Sequence, residues 1–458
     1  MQVFRMQAIW TSWKRRSIIS GKTALCILAT FLVGVSVVWA TLNISSEPQY
    51  GDTPEYWKLS HTLQVDTWRT VGYPLVLKVD QLIFSKNLEH AALYILQLAI
   101  SLGCAYYFFR TLSIFLPSSK RASLLMAILL VSIPVVAHFN FAVLTDSLAN
   151  SLFILVMSAT LRLMVSKATV QTGAIAIGGL IAMGLIREDR LLASAVIIGI
   201  VLVWALFRHN KALALMMVLL FVVSISVAII NKSTQTADLG RPQMSLTFTL
   251  FDRTVRGRLW KLMPKMPRTI QQRITPQMAQ EWDQHQNYWA TINTVLDDSA
   301  GRSAMKQAVK VAIKNNALSI VGNLTSTFFA YIATPFSYAK ESLYHPNNPG
   351  SYWTYWTNSR MAQAQPRITH MYQNIFWILF FSTLLFLVWH IKAAFLIIRR
   401  YQNLMIFWLV VVLVTAAMHT LQSSIGFHIR YALPIFSIES GMLIYIVFHI
   451  RQSKDPLV

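Results

Sequence analysis

Residues 170–207 read VQTGAIAIGGLIAMGLIREDRLLASAVIIGIVLVWALF, two apolar runs (170–186 and 191–207) parted only by Arg187-Glu188-Asp189-Arg190. Each run approaches the ~20 apolar residues that a helix needs to cross a hydrocarbon core of ~30 Å. The four charges between them read as a turn at a membrane surface. Similar runs recur at 23–42, 91–109, 122–136, 148–164, 212–230, 374–395, 404–419 and 435–449. The pattern predicts an all-α polytopic membrane protein with about 10–11 transmembrane helices.

Composition points the same way. The chain has 458 residues, 55% of them hydrophobic and 13% charged, with a mean hydropathy of +0.48, which excludes an ordinary soluble enzyme. Alternating strands of about ten residues, the mark of a membrane barrel, are missing. The first apolar run is too long for a signal peptide and no small-residue cleavage pattern follows it. A net charge of +22 suggests nucleic acid in a soluble chain, but here it fits basic cytoplasmic loops, and no nucleic-acid partner is expected. Cys26 and Cys104 both fall inside predicted spans, so no disulfide framework is expected.

The charges also orient the chain. Arg5, Lys14, Arg15, Arg16 and Lys22 place the N-terminus in the cytoplasm and the loop 43–88 outside. Later cytoplasmic connections carry Arg110, Lys120 and Arg121, then Arg162 and Lys167, Arg208 and Lys211, Arg399 and Arg400, and Arg451 and Lys454. The external connection 138–145 has neither Lys nor Arg. The domain plan is then a seven-span module at 1–230, a large external loop at 231–373 and a three-span module at 374–458, with both termini inside. The big loop holds sixteen Lys/Arg against seven Asp/Glu. In it, Lys306, Lys310 and Lys314 surround Val309, Val311 and Ile313, predicting a cationic amphipathic helix on the lipid surface. Residues 317–334, apolar but broken by Asn323 and Thr325-Ser326-Thr327, read as an interfacial or partly embedded helix.

Chemistry concentrates at the outer surface. In GDTPEYWKLSHTLQVDTWRTVGYPLVL (51–77), Asp52, Glu55, Tyr56 and Leu59 fall at helical spacing, and Arg69 precedes the turn signal Gly72-Tyr73-Pro74. Asp146 opens the fourth span, where the plain alternative is a helix N-cap. Arg187 and Arg190 break the orientation rule, and their plain alternative is pairing with Glu188 and Asp189 in the same turn. Arg430 and Tyr431 lie in another outside turn with no carboxylate nearby in sequence. Arginines at headgroup depth suit a lipid-linked phosphate, and a carboxylate beside them can deprotonate an attacking hydroxyl or amine. Asp66 and Asp80 read as solvated loop charges, the eleven histidines as core or interfacial, and Trp282, Trp289, Trp353 and Trp356 as interface anchors. Glu439 is the main charge inside a span. No ligand motif indicates a metal, and no cofactor is expected.

Asp52 with Tyr56, the run Arg69-Thr70-Val71-Gly72-Tyr73-Pro74, Thr145-Asp146, and Arg430-Tyr431-Ala432-Leu433-Pro434 together resemble the GT-C membrane glycosyltransferases that use polyprenyl-phosphate sugars. The aminoarabinose transferase and protein O-mannosyltransferase-like groups are the nearest. The resemblance implies a GT-C-like bundle with external juxtamembrane helices in a bacterial-type inner membrane and an active site on its periplasmic side. It implies Asp52 as general base, Asp146 in support, and Glu55 as a secondary candidate. It further implies a polyprenyl-phosphate-sugar donor, with Arg69, Tyr56, Tyr73, Arg187, Arg190, Arg430 and Tyr431 around the donor. The acceptor that the resemblance implies is a glycan, glycolipid or protein. Two features depart from the pattern: Thr70 replaces the usual proline, and Glu55 is not adjacent to Asp52. A lipid-linked saccharide flippase, or a polysaccharide polymerase or ligase, is the alternative class.

Overall fold

The computed structural model describes residues 20, 22–31, 34, 53–63, 69–84, 89–115, 120–132, 140, 143–165, 169–234, 246–255, 258–283, 291, 294–295, 299–333, 381–383, 385–400 and 402–422, with short helical pieces between 434 and 450. Every regular element among the described residues is helical. The first helix, α1 (Lys22–Phe31), is followed by two short helices of the first loop, α2 (Thr53–Thr62) and α3 (Gly72–Ile83). The main helices are α4 (Glu89–Phe115), α5 (Lys120–Ser132), α6 (Asp146–Val165), α7 (Val170–Ile186), α8 (Glu188–Phe207) and α9 (Lys211–Thr234). Next come α10 (Leu246–Val255), α11 (Leu259–Leu262), α12 (Arg268–Arg273), α13 (Pro276–Asp283) and the long α14 (Ser299–Ile332). They are followed by α15 (Ile391–Arg400) and α16 (Gln402–Gln422). Among these, α4, α6, α8, α9 and α16 are long and apolar enough to cross a membrane, and α7 is a shorter apolar helix.

Helix α6 is the centre of the bundle. Of its most apolar stretch 78% is buried, against 33% for α9. Apolar residues all round the helix demand such a position. Small residues such as Ser147, Ala149, Ser151 and Ala159 let neighbours come close, which is how helices associate where lipid is as apolar as the side chains. Helix α6 packs on α4 and α7, and α8 packs on α9 and α16. Helix α7 starts at an N-cap, where the Thr169 hydroxyl accepts the Thr172 N–H at 3.2 Å. Its far end is tied down by the buried Asn231 of α9, whose Nδ2 donates to the Gly184 carbonyl at 2.8 Å.

A second apolar core lies outside this bundle. It is built from α10–α13 and the first half of α14, around Phe251, Leu259, Ile270, Trp282, Met305, Ala308 and Ala312. Helix α14 kinks at Asn316 (φ −144°, ψ 22°), and only its last turns, at Tyr331, join the bundle core. The apolar face of residues 304–312 therefore packs on protein, where the sequence predicts a lipid surface. Periodicity reveals an apolar face but not what covers it. Trp282 is likewise buried, edge-on to Phe251 at 6.0 Å between centroids, and is no interface anchor. Asp80 is buried on α3 instead of solvated in a loop. The run 374–395 is described from residue 381; it passes through a turn at His390 into α15, which continues to Arg400. Of the spans expected at 23–42 and 435–449, residues 32–33, 35–42, 436, 440, 444–445 and 448–449 lie outside the described residues, as do Asp66, Trp289, Trp353 and Trp356.

Candidate functional site

Helices α7 and α8 are joined by one residue, Arg187, in extended conformation (φ −158°, ψ 112°). The charged turn is thus shorter than the sequence suggests, because Glu188-Asp189-Arg190 forms the first turn of α8. Two acids there complement the positive end of the helix dipole. The Arg187 side chain leaves this corner and forks. Its Nε donates to Asp189 Oδ1 at 2.9 Å, while Nη1 pairs with Asp146 Oδ1 and lies 3.4 Å from Thr145 Oγ1. Asp146 is fully buried at the start of α6, and the side chain of Arg187 is only 11% exposed. Asp189 Oδ1 also accepts the Arg190 backbone N–H at 2.9 Å.

Arg190, 1% exposed, points the other way and donates from Nη1 to His419 Nε2 in the last turn of α16. A guanidinium cannot accept, so Nε2 is the acceptor and the ring proton sits on Nδ1. That nitrogen faces Asp189 Oδ2 at 3.9 Å. The Tyr331 ring at the end of α14 lies 5.9 Å from the imidazole. Residues from α6, the α7–α8 corner, α14 and α16 meet here in one buried network. Pairing within the Arg187–Arg190 turn describes only part of it, since Arg187 also reaches Asp146 and Arg190 reaches His419.

The first loop forms the neighbouring wall. Thr53 Oγ1 donates to the Val143 carbonyl at 3.2 Å, holding α2 beside the chain that leads into Asp146. Arg69 pairs with Glu55 and lies 5.3 Å over the Tyr56 ring. Tyr56 in turn meets Tyr73 edge-on, 5.0 Å between centroids. Gly72 permits this assembly: a Cβ there would stand 2.5 Å from the Leu185 carbonyl oxygen, so α3 can abut the end of α7 only without a side chain. Pro74 fits the first turn, where its missing N–H would have no partner anyway. Tyr73 is fully buried; burial first, then the nearby Tyr56 hydroxyl, pushes its phenol well above the usual range, and the Asp146 charge adds to this. It stays a neutral hydroxyl between the two clusters.

The structure thus groups Glu55, Tyr56, Arg69 and Tyr73 in one cluster and Asp146, Arg187 and Arg190 in a second, with Tyr73 between them. Asp52, Arg430 and Tyr431 lie outside the described residues. Glu55 and Asp146 are each engaged by an arginine. Sequence reading named Asp189 only as a partner for the arginines of its own turn, placed His419 with the core or interfacial histidines, and passed over Tyr331. The signal for His419 was its place at the end of the run 404–419, the end that the alternation of spans assigns to the same side as Arg187. A third polar group links α4 to α6: Gln97 Nε2 donates to the Asn140 carbonyl at 2.9 Å, and Ser101 bonds Asn140 Oδ1 at 3.1 Å and Ser151 at 2.9 Å. It is uncharged and serves helix packing. Among the described residues no group of three or more His, Cys, Asp or Glu side chains is arranged to hold a metal ion.

Comparison with known proteins finds no family model, no curated protein and no solved structure that matches the chain.

Proposed function

We propose that this chain is a membrane glycosyltransferase of GT-C type, moving a sugar from a polyprenyl-phosphate donor to a glycan, glycolipid or protein acceptor on the external face of the membrane. The observation that carries this reading is the pair of guanidiniums at the α7–α8 corner, Arg190 buried and Arg187 only 11% exposed, set beside Asp146 and walled by the first loop. In so dry a site, fixed donors stabilise developing negative charge far more than they would in water. A phosphate leaving group at headgroup depth is such a charge, and guanidinium geometry matches it. Asp146 and Asp189 hold Arg187 from two sides and so fix its direction.

In the proposed step, the acceptor oxygen or nitrogen attacks the anomeric carbon while a carboxylate takes its proton. The bond from that carbon to the phosphate oxygen breaks with inversion, and polyprenyl phosphate leaves with both electrons toward the arginines. Asp52 is the proposed base. It precedes Thr53, whose hydroxyl is bonded to the strand of chain before Asp146. Purified protein given a lipid-phosphate sugar labelled in the sugar is expected to release polyprenyl phosphate. Asp52→Asn is expected to abolish release while donor binding persists. Full activity in that variant removes Asp52 from the step, and movement of intact donor across the bilayer favours a flippase.

A further inference from the structure

The cations of residues 258–314 take no part in the site described above. Arg258, Lys261, Lys265, Lys306, Lys310 and Lys314 are all exposed. Among the described residues none of the six forms an ion pair with a carboxylate. The described acids nearby are occupied elsewhere. Asp283 caps α11 by accepting the N–H groups of Leu259 at 2.9 Å and Trp260 at 3.1 Å, and Asp252 is fully buried. Glu281 accepts from Gln277 at 2.9 Å.

Two of these cations meet the kink of α14. Arg258 Nη1 donates to Asn316 Oδ1 at 2.6 Å and Lys265 Nζ to Asn315 Oδ1 at 3.0 Å, which gathers α11 and the segment after it around the kink next to Lys314. Lys306, Lys310 and Lys314, four residues apart, continue the basic face along α14. Beyond the kink the helix turns apolar and exposed, with Leu318 90%, Val321 59% and Phe329 59% accessible. Trp260, 43% exposed, stands next to Lys261. A tryptophan and a cluster of lysines where an exposed apolar helix departs is the composition of a membrane–water boundary.

We propose that the basic face around Asn316 seats on the phosphates of anionic lipid headgroups, with the apolar flank of residues 317–329 dipping beneath them. The apolar side of residues 304–312 is filled by protein, so attachment of this half of α14 is electrostatic. Hydrated ammonium groups suit a phosphate-rich surface that supplies many counter-charges in one plane. Residues 317–332 span about 24 Å as a helix, short of the ~30 Å core, in keeping with partial immersion.

The test uses the full chain in lipid nanodiscs, made either of phosphatidylcholine alone or of phosphatidylcholine with phosphatidylglycerol. A water-soluble lysine-acylating reagent is applied, and modification of Lys306, Lys310 and Lys314 is read by mass spectrometry. Phosphatidylglycerol is expected to slow their modification at least about threefold, and high salt to abolish the protection. Lys211, at the other end of the bundle's α9, serves as the internal reference. Equal rates in the two discs overturn the proposal. So does protection that appears only on adding inorganic phosphate or a soluble acidic polysaccharide, which would point to a free-anion or polymer site. A Lys306→Glu/Lys310→Glu/Lys314→Glu variant, with Lys261 and Lys265 as the lysines read, is expected to lose the lipid dependence at those two as well.

Discussion

Two regions of this molecule handle charge in opposite ways, and α14 belongs to both. Around Asp146 and Arg187 the bundle pulls carboxylates, guanidiniums and an imidazole away from water and pairs them with one another. Around Trp282 the smaller unit has a mainly apolar core, with Asp252 the one charged side chain buried there among the described residues, and leaves Arg258, Lys261, Lys265, Lys306, Lys310 and Lys314 outside. The interior of the smaller unit is mainly apolar and contains no buried cation among the described residues. Burying a charge pair in the bundle costs desolvation that a well-packed apolar pair of similar volume avoids, so stability alone does not account for it. The contrast directs attention to the bundle for chemistry and to the smaller unit for surface attraction.

The comparison can be broken most severely at Trp282. Trp282→Ala is expected to cost the smaller unit about 3–5 kcal/mol and open it to protease, while hydrogen exchange in α6 stays slow. Loss of protection in α6 as well would merge the two regions into one cooperative body. Next in size, Arg187→Met strands the buried Asp146 and is expected to destabilise the bundle by about 3 kcal/mol. Adding Asp146→Asn to it should restore more than half of the loss, a coupling read from a double-mutant cycle. Gly72→Ala drives a methyl into the Leu185 carbonyl, at an expected cost of about 1–3 kcal/mol and with a larger loss of transfer activity than Lys310→Glu. Lys310→Glu sharpens the contrast from the other side: it should move stability by no more than about 0.5 kcal/mol, seen as an unchanged unfolding midpoint.

Helical character and apolar length were readable because they depend on local composition alone. The runs 170–186 and 191–207 return as α7 and α8, the second beginning three residues early because Glu188 and Asp189 are good first-turn residues. What local pattern cannot name is the partner. Val309 and Ala312 look the same whether lipid or Trp282 covers the face. Asp80 reads as a loop charge until α3 turns it inward. The site divides along the same line. Asp146, Arg187 and Arg190 stood out as charges beside apolar runs. His419 and Tyr331 are unremarkable in their own stretches and gain meaning only through contacts with residues far away in the chain.

The central claim is that the α7–α8 corner is built for a lipid-borne phosphate. The most direct measurement is the thermal stability of the purified protein with polyprenyl phosphate, set against the same chain length of neutral polyprenol, in wild type and in Arg190→Gln. The account predicts a rise in unfolding temperature with the phosphate, a much smaller one with the alcohol, and loss of the difference in the variant. Equal stabilisation by both lipids, or an undiminished phosphate effect in Arg190→Gln, would contradict it.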